Sequence, residues 1–244
     1  MNFNGTGSQT IPAFNYNNLT ISGARTVNSV TFDNTGTIGV AGIFNPSATF
    51  TSGGWITAGS TIDFNGTGNQ TIPTFNFHNL TISGNRGANN VTLVNGGTIG
   101  MSGTFLPAAV FTSGGYVVTN NTVNFNGTGS QTIPAFTFNN LILSGGSTKV
   151  LTGAVIVNNV LTLNGAILEL DNYNLTLNSN LANAIQGTFD GSNMISTNGT
   201  GYLVKNAASA QALYPIGSGG YYSPVTVSAV VPNTGVLRIR AVPL

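Results

Sequence analysis

Catalysis needs ionisable side chains close together, so the acidic residues are considered first. The closest acidic pair is Glu169 and Asp171, two positions apart. On one face of a strand their Cα atoms would be about 6 to 7 Å apart, which suits the roughly 5 to 9.5 Å between the carboxylates of a glycosidase. Leu168 and Leu170, however, take the inward positions, and no Arg, Lys or His stands nearby to separate the two pKa values. The pair is therefore predicted to be solubilising or edge-protecting rather than catalytic.

A long internal repeat constrains every other candidate residue. The segment FNGTGSQTIPAFNYNNLTISG and its two near-copies begin at Phe3, Phe64 and Phe125, a constant spacing of 61 residues. The first two copies continue to match through FTSGG, whereas the third departs after Gly145. A fixed period of this length is the signature of a solenoid or another repeat architecture.

The repeat argues against a metal site or a catalytic histidine. Asp33 aligns with Val94, and Asp63 aligns with Asn2 and Asn124, so no carboxylate recurs from copy to copy. A hard-cation site takes six to eight oxygens and usually several carboxylates, and the chain contains no cysteine. We therefore expect no metal and no cofactor beyond one incidental site.

The single histidine follows the same logic. His78 stands where the sister copies have Asn17 and Asn139. A position that accepts Asn in two of three copies is predicted to be a polar bend residue rather than a ligand or a base.

Two aromatic residues are the candidates for ligand binding. Trp55 and Tyr116 follow the same TSGG sequence, 61 residues apart, and should lie on the same side of a solenoid. Flat rings in polar surroundings can stack on sugars, although packing at a buried corner is the commoner fate of a large ring. The sequence thus nominates Trp55 and Tyr116 as a carbohydrate-binding pair, with surface glycans as partners.

Composition excludes other partners. Charged residues make up 5% of the 244 residues and the formal net charge is +1, against roughly 25% charged residues in ordinary proteins. Nucleic-acid binding requires clustered Lys and Arg, and a membrane-spanning helix requires about 20 consecutive apolar residues. Neither feature occurs, so no nucleic-acid partner and no membrane-spanning segment is expected.

Within each copy the hydrophobic residues alternate with a period of two, which predicts short strands joined by Asn, Gly and Ser bends. Three coils of roughly 20 residues per copy favour an all-β parallel β-helix over a sandwich or barrel, because a solenoid gives every copy the same surroundings. Phe64, Ile72, Leu80 and Ile82 are predicted to point into its core.

Two regions are expected along the chain. Residues 1–200 are predicted to be β-helix, with repeats at 2–62, 63–123 and 124–184 followed by a transition. The repeat is absent from about Gly201, where alternating strands and a PNTG turn predict a small β-rich module over 201–244 that caps the solenoid or begins another domain.

Several segments carry a family resemblance. FNGTGSQTIPAFNYNNLTISG, VNNVLTLNGAILELDNYNLTLNSN and ALYPIGSGGYYSPVTVS resemble the β-strand-repeat, adhesin-like surface proteins of gliding and type IX-secreting bacteria, and together they span most of the chain. The resemblance implies a secreted or cell-surface location and an adhesive or structural role within a very long protein. The family shares no catalytic motif, so it implies no active-site residue.

The function expected from the sequence is that of a non-enzymatic extracellular segment, acting as a rigid stalk or filament building block. Low charge and an apolar coil edge at Met1 predict end-to-end self-association. Carbohydrate binding through the aromatic pair is the alternative. A polysaccharide-degrading β-helix enzyme and an ice-binding protein are less well supported, since acids are few and regular Thr-x-Thr rows are missing.

Overall fold

A computed structural model describes residues 1–207, 210–228 and 235–242, and these residues form β-strands, turns and bends without a helix. None of the described segments is a helix capable of crossing a membrane. The chain divides into two compact units, unit 1 over Met1–Thr119 and unit 2 over Asn120–Leu244. Both units are parallel β-helices, which confirms the fold class predicted from the repeat.

The strands of unit 1 are two to four residues long. They are β1 Asn2–Phe3, β2 Gln9–Ile11, β3 Asn15–Tyr16, β4 Leu19–Ile21, β5 Ala24–Arg25, β6 Val30–Phe32, β7 Thr37–Val40, β8 Phe44–Pro46, β9 Thr49–Phe50, β10 Trp55–Ile56, β11 Thr61–Phe64, β12 Gln70–Ile72, β13 Phe75–Phe77, β14 Asn79–Ile82, β15 Asn85–Gly87, β16 Val91–Leu93, β17 Thr98–Met101, β18 Phe105–Pro107, β19 Val110–Phe111 and β20 Tyr116–Val117.

The pairing of these strands shows the coils. Within unit 1 the sheets run in the orders β1-β4-β8, β3-β7-β11-β14-β18, β2-β6-β10, β12-β16-β20, β13-β17, β5-β9 and β15-β19. The strand pairs in these sheets are parallel, for example Gln9 with Val30 and Thr61 with Asn79. Paired strand residues in this unit are 18 to 25 positions apart, as for Thr61 with Asn79 and Leu19 with Phe44. A chain that pairs in parallel with itself after one coil is a solenoid and not a sandwich of hairpins.

The interior of unit 1 follows the predicted alternation. Phe64, Ile72, Leu80 and Ile82 are at most 2% exposed, so their predicted inward orientation is confirmed. Five three-residue strands, β4, β6, β12, β13 and β16, bury their first and third side chains and leave the middle one more exposed. The hydrophobic alternation therefore selects both the strand and its inner face.

The glycine that ends the repeated ISG sequence fixes the bend after the strand. Gly23, Gly84 and Gly145 occupy equivalent positions and all have positive φ, at 93°, 91° and 79°. A Cβ on Gly84 would lie 2.9 Å from the carbonyl oxygen of Gly66 in the preceding coil. Only glycine combines this backbone conformation with such a close approach.

Unit 2 contains longer strands. They are β21 Thr122–Phe125, β22 Gln131–Ile133, β23 Phe136–Leu143, β24 Thr148–Leu151, β25 Val155–Leu163, β26 Ile167–Glu169, β27 Leu175–Leu177, β28 Ile185–Gln186, β29 Ile195–Ser196, β30 Leu203–Asn206, β31 Ala212–Tyr214, β32 Ile216–Ser218, β33 Tyr221–Tyr222, β34 Val225–Val227 and β35 Val236–Ile239.

Two long sheets organise unit 2, in the orders β21-β23-β25-β27-β30-β35, with β28 also on β25, and β22-β24-β26-β29-β32-β33. The pairs are parallel as far as β30 and β32, after which β33, β34 and β35 pair antiparallel with β32, β31 and β30. The described part of the module predicted over 201–244 is thus β-rich and changes strand direction. Residues 208–209, 229–234 and 243–244 of that module lie outside the described residues.

Candidate functional site

Trp55 of β10, one of the two candidate carbohydrate-binding residues, packs among other aromatic rings. Trp55 pairs with the fully buried Val30 of β6, so its side chain projects toward the same inner side. Its ring centroid lies 5.0 Å from that of Phe50, 5.3 Å from that of Phe75 and 5.9 Å from that of Phe32. The indole is only half-buried. Its neighbours on the inner side are protein rings, which is the arrangement of a packed corner.

The equivalent residue of β20 is held in the same way. Tyr116 pairs with the buried Val91, and its ring centroid lies 5.0 Å from that of Phe111. Its hydroxyl accepts a hydrogen bond of 3.3 Å from the backbone N–H of Ala109, and burial raises its pKa. Trp55 and Tyr116 thus occupy equivalent positions, as the repeat predicts, and glycan binding by this pair stays a prediction.

The acidic pair lies on the outside of the coil. Leu168 and Leu170 are fully buried, whereas Asp171 is exposed and Glu169 partly so, as the alternation predicts. Glu169 accepts hydrogen bonds from the backbone N–H of Asn198 at 3.3 Å and from its side-chain amide at 2.9 Å. The Glu169 carboxylate therefore joins one coil to the next.

Asp63 has a structural role that explains its alignment with asparagine. Its Oδ2 accepts a hydrogen bond of 2.8 Å from the Ser83 hydroxyl. The pKa of Asp63 is raised because burial disfavours its charged form. Hydrogen bonding to Ser83 and the attraction of Arg86 lower the pKa but do not cancel the effect of burial. Its Oδ1 is buried and makes no hydrogen bond with the described residues.

His78 lies at a bend between β13 and β14. Its Nδ1 is 3.0 Å from the Ser102 hydroxyl in the neighbouring coil. Among the described residues no group of three or more His, Cys, Asp or Glu comes together in a way that could hold a metal ion. The geometry around His78 is that of the polar bend residue expected from its alignment.

Sequence reasoning missed the buried cations. Arg25, Arg86, Lys149 and Lys205 are at most 2% exposed. Arg86 donates hydrogen bonds to the backbone carbonyls of Phe64, Gly68 and Ser83. The signal that could have found the two arginines is their 61-residue spacing, because a charge kept at one position of the repeat suggests a structural role; the two lysines carry no such signal.

The buried lysines of unit 2 bind backbone carbonyls too. Lys149 donates to the carbonyls of Gly127 and Gly129 at 2.7 and 3.1 Å, and Lys205 to that of Ser179 at 2.7 Å. Burial lowers the pKa of both lysines. These ammonium groups serve as internal ties between coils.

Each unit has a cavity on its described surface. In unit 1 a cavity of about 420 Å³ lies between the segments 42–45 and 69–73. In unit 2 a cavity of about 390 Å³ lies between the end of β25 and the loop 187–193. The first has no ionisable residue in its lining, whereas the second contains the carboxylate of Asp190.

Comparison of the chain with protein-family models, with curated proteins and with solved structures finds no match in any of the three. Its function must therefore be argued from its own contacts.

Proposed function

We propose that this chain is a non-enzymatic structural segment of an extracellular bacterial surface protein, acting as a rigid stalk or filament building block with an adhesive role. The observation that carries the proposal is that the repeated sequence preserves the contacts that join one coil to the next. The location is supported by the family resemblance of the repeated segments.

A serine-to-amide or serine-to-carboxylate hydrogen bond recurs in all three copies. It joins residues 20 positions apart each time: Ser22 to Asn2 at 3.2 Å, Ser83 to Asp63 at 2.8 Å and Ser144 to Asn124 at 2.9 Å. The acceptor changes from Asn to Asp and back, but the hydrogen bond between coils, called a rung below, is kept. Repetition here maintains a mechanical connection rather than a particular charge.

Asparagine side chains form two further rungs in both copies within unit 1. Asn18 and Asn79 accept hydrogen bonds from the backbone N–H groups of Ile43 and Thr104, at 2.8 and 2.9 Å. In the other rung, Asn28 and Asn89 donate to the carbonyls of Thr6 and Thr67, at 3.1 and 3.0 Å. These repeated serine and asparagine side chains bridge coils and should resist their separation, as a spacer under tension requires.

The mechanical part of the proposal is tested by pulling the full chain in an atomic force microscope. The variant in which Ser22, Ser83 and Ser144 become Ala should unfold at a clearly lower force, because each rung bridges two coils. The matched control changes Thr10, Thr71 and Thr132, three exposed strand residues with the same spacing, to Val and should leave the force unchanged. Equal forces for the serine variant and the native chain would contradict the proposed rungs.

Location and self-association need separate measurements. Brief protease treatment of intact cells that carry the gene should remove the protein from the surface, whereas retention until lysis would contradict an extracellular role. Sedimentation across a wide concentration range should show end-to-end association. A strictly monomeric species at high concentration would contradict the filament role but not the stalk role.

A further inference from the structure

The cavity of unit 2 arises where one coil is longer than its neighbours. Paired strand residues of the preceding coils are 18 to 20 positions apart, whereas Gly165 and Asn193 are 28 positions apart. The additional residues lie on both sides of β28, since Leu161 pairs with Ile185 and Leu168 with Ile195, and the loop after β28 lines the space of about 390 Å³. This volume falls in the range of small-ligand sites in proteins, about 300 to 1,000 Å³.

The buried side-chain amide of Asn193 connects the segments that line the cavity. Asn193 is 5% exposed, and its Oδ1 accepts hydrogen bonds of 3.1 Å from the N–H groups of Gly165 and Ala166. Its Nδ2 donates to the carbonyls of Leu163 at 3.1 Å and Thr188 at 2.6 Å. Four hydrogen bonds use the full capacity of the amide. Asn193 thus fixes both sides of the cavity and is not itself available to a ligand.

The carboxylate of Asp190 lines the cavity and has hydrogen-bond acceptor positions that remain unused. The Oδ1 of Asp190 accepts hydrogen bonds of 2.7 Å from both the N–H and the hydroxyl of Ser192. These hydrogen bonds, followed by a smaller contribution from the backbone N–H of Asn193, lower the pKa of Asp190, so it is ionised at neutral pH. A carboxylate offers about four acceptor positions, and both of these bonds end on one oxygen. Asp190 can therefore accept additional hydrogen bonds through Oδ2.

The rest of the lining limits the ligand class. Asn164 is exposed, and its amide makes no hydrogen bond with the described residues; Thr188 also lines the cavity. No Lys, Arg or His is among the residues that line the cavity, so an anion would meet only Asp190 and be repelled. One carboxylate falls short of the several that a hard cation usually takes. An apolar ligand would offer no partner to the Asp190 carboxylate and the Asn164 amide.

We propose that this cavity binds one unit of a neutral saccharide, with Asp190 accepting hydrogen bonds from sugar hydroxyls and Asn164 and Thr188 completing the polar wall. A sugar presents adjacent hydroxyl donors to a carboxylate and acceptors to an amide, so it satisfies both groups without a countercharge. The inference gives a ligand class to the adhesive role proposed above and depends on that role alone. It uses neither Trp55 nor Tyr116.

The test uses the full chain on an array that carries neutral fragments of polysaccharides and neutral glycans of glycoproteins as separate arms, followed by calorimetry with the strongest ligand. Asp190→Asn keeps the acceptor for Ser192 but removes the charge and should weaken binding at least tenfold. Asn164→Ala should weaken it several-fold. Asp33→Asn is the matched control, because Asp33 accepts the same pair of 2.7 Å hydrogen bonds, here from Thr35, but does not line the cavity.

Four outcomes would overturn the inference. They are unchanged affinity in Asp190→Asn, loss of binding on addition of a calcium chelator, loss of binding in Trp55→Ala with Asp190→Asn unaffected, and the absence of binding to any neutral saccharide on the array. None of these results alters the unfolding force, so failure of the saccharide site is distinguishable from failure of the proposed stalk. Circular dichroism melting of Asp190→Asn confirms that the loop variant is folded.

Discussion

Unit 1 fills its coils with aromatic rings, whereas most of unit 2 uses aliphatic side chains. Phe32, Phe44 and Phe75 of unit 1 meet edge to face, with ring centroids 5.3 to 6.3 Å apart. In unit 2 the buried hydrophobic residues from Leu141 to Ala212 include no aromatic ring among the described positions. Parallel coils therefore do not require one kind of interior. They require an inward hydrophobic at every second position.

Strand length differs between the units for a local reason. In unit 1 β13 and β14 are separate strands with His78 between them, whereas in unit 2 the equivalent residues form the continuous β23. Asn139 occupies the His78 position in β23, which pairs with β25 across an irregularity between Phe138 and Asn140. The copies thus retain their inward residues while the bend between two strands is lost.

Removal of inward packing should produce the largest effect in either unit. Leu80→Asp in unit 1 and Leu161→Asp in unit 2 would each bury an unpaired carboxylate, so we expect a loss of about 4 kcal/mol or more in the free energy of unfolding. Urea denaturation followed by circular dichroism measures it. The control Thr71→Asp changes an exposed residue in the middle of β12 and should cost about 1 kcal/mol or less. Native-like stability of Leu80→Asp would contradict the core assignment.

Replacement of the buried cations should have the next largest effect and should differ between the units. Arg86→Met leaves the carbonyls of Phe64, Gly68 and Ser83 without their donor, and we expect a loss of about 2 to 4 kcal/mol. Lys149→Met removes two hydrogen bonds to carbonyls together with a desolvated charge, and should cost about 1 to 2 kcal/mol. Equilibrium denaturation compares the two variants. A larger loss for Lys149→Met would reverse the proposed difference.

The sequence predicts the features that each copy encodes locally. Alternation identifies inward residues such as Ile72, and the spacing of the copies identifies a parallel β-helix. The buried position of Arg86 was not predicted, because charged side chains are rarely buried and its partners Phe64 and Gly68 lie about one coil back along the chain. No sequence pattern indicated the cavity lined by the loop 187–193 either. It depends on one long coil that occurs once, so no repeated residue marks Asp190 or Asn193.

A smaller, stabilising effect should follow from Asp63→Asn in unit 1. Burial raises the pKa of Asp63 above 3.8, and asparagine serves the same serine rung at positions 2 and 124. As the pH rises, Asp63 loses its proton at a lower pH in the unfolded chain than in the folded one, so ionisation favours unfolding. This loss of folding stability is absent below pH 3.8 and complete above the raised pKa of the folded chain. The variant should melt about 1 to 3 °C higher at pH 7. The gain should vanish as the pH falls to 3.8, and a gain independent of pH would contradict this cause.

The smallest effect is expected at Asp171 of unit 2, which also tests the absence of catalysis. Asp171 is exposed and has a φ of 49°, a left-handed conformation that Asn adopts as readily as Asp. Asp171→Asn should therefore change the free energy of unfolding by less than about 0.5 kcal/mol, whereas Asp171→Ala should cost about 1 kcal/mol because alanine adopts the left-handed conformation less readily than Asp or Asn. The same proteins are incubated with polysaccharides and the reducing ends are measured. Native chain and Asp171→Asn should both release none. Cleavage by the native chain that is lost in Asp171→Asn or Glu169→Gln would make the pair catalytic and the segment an enzyme.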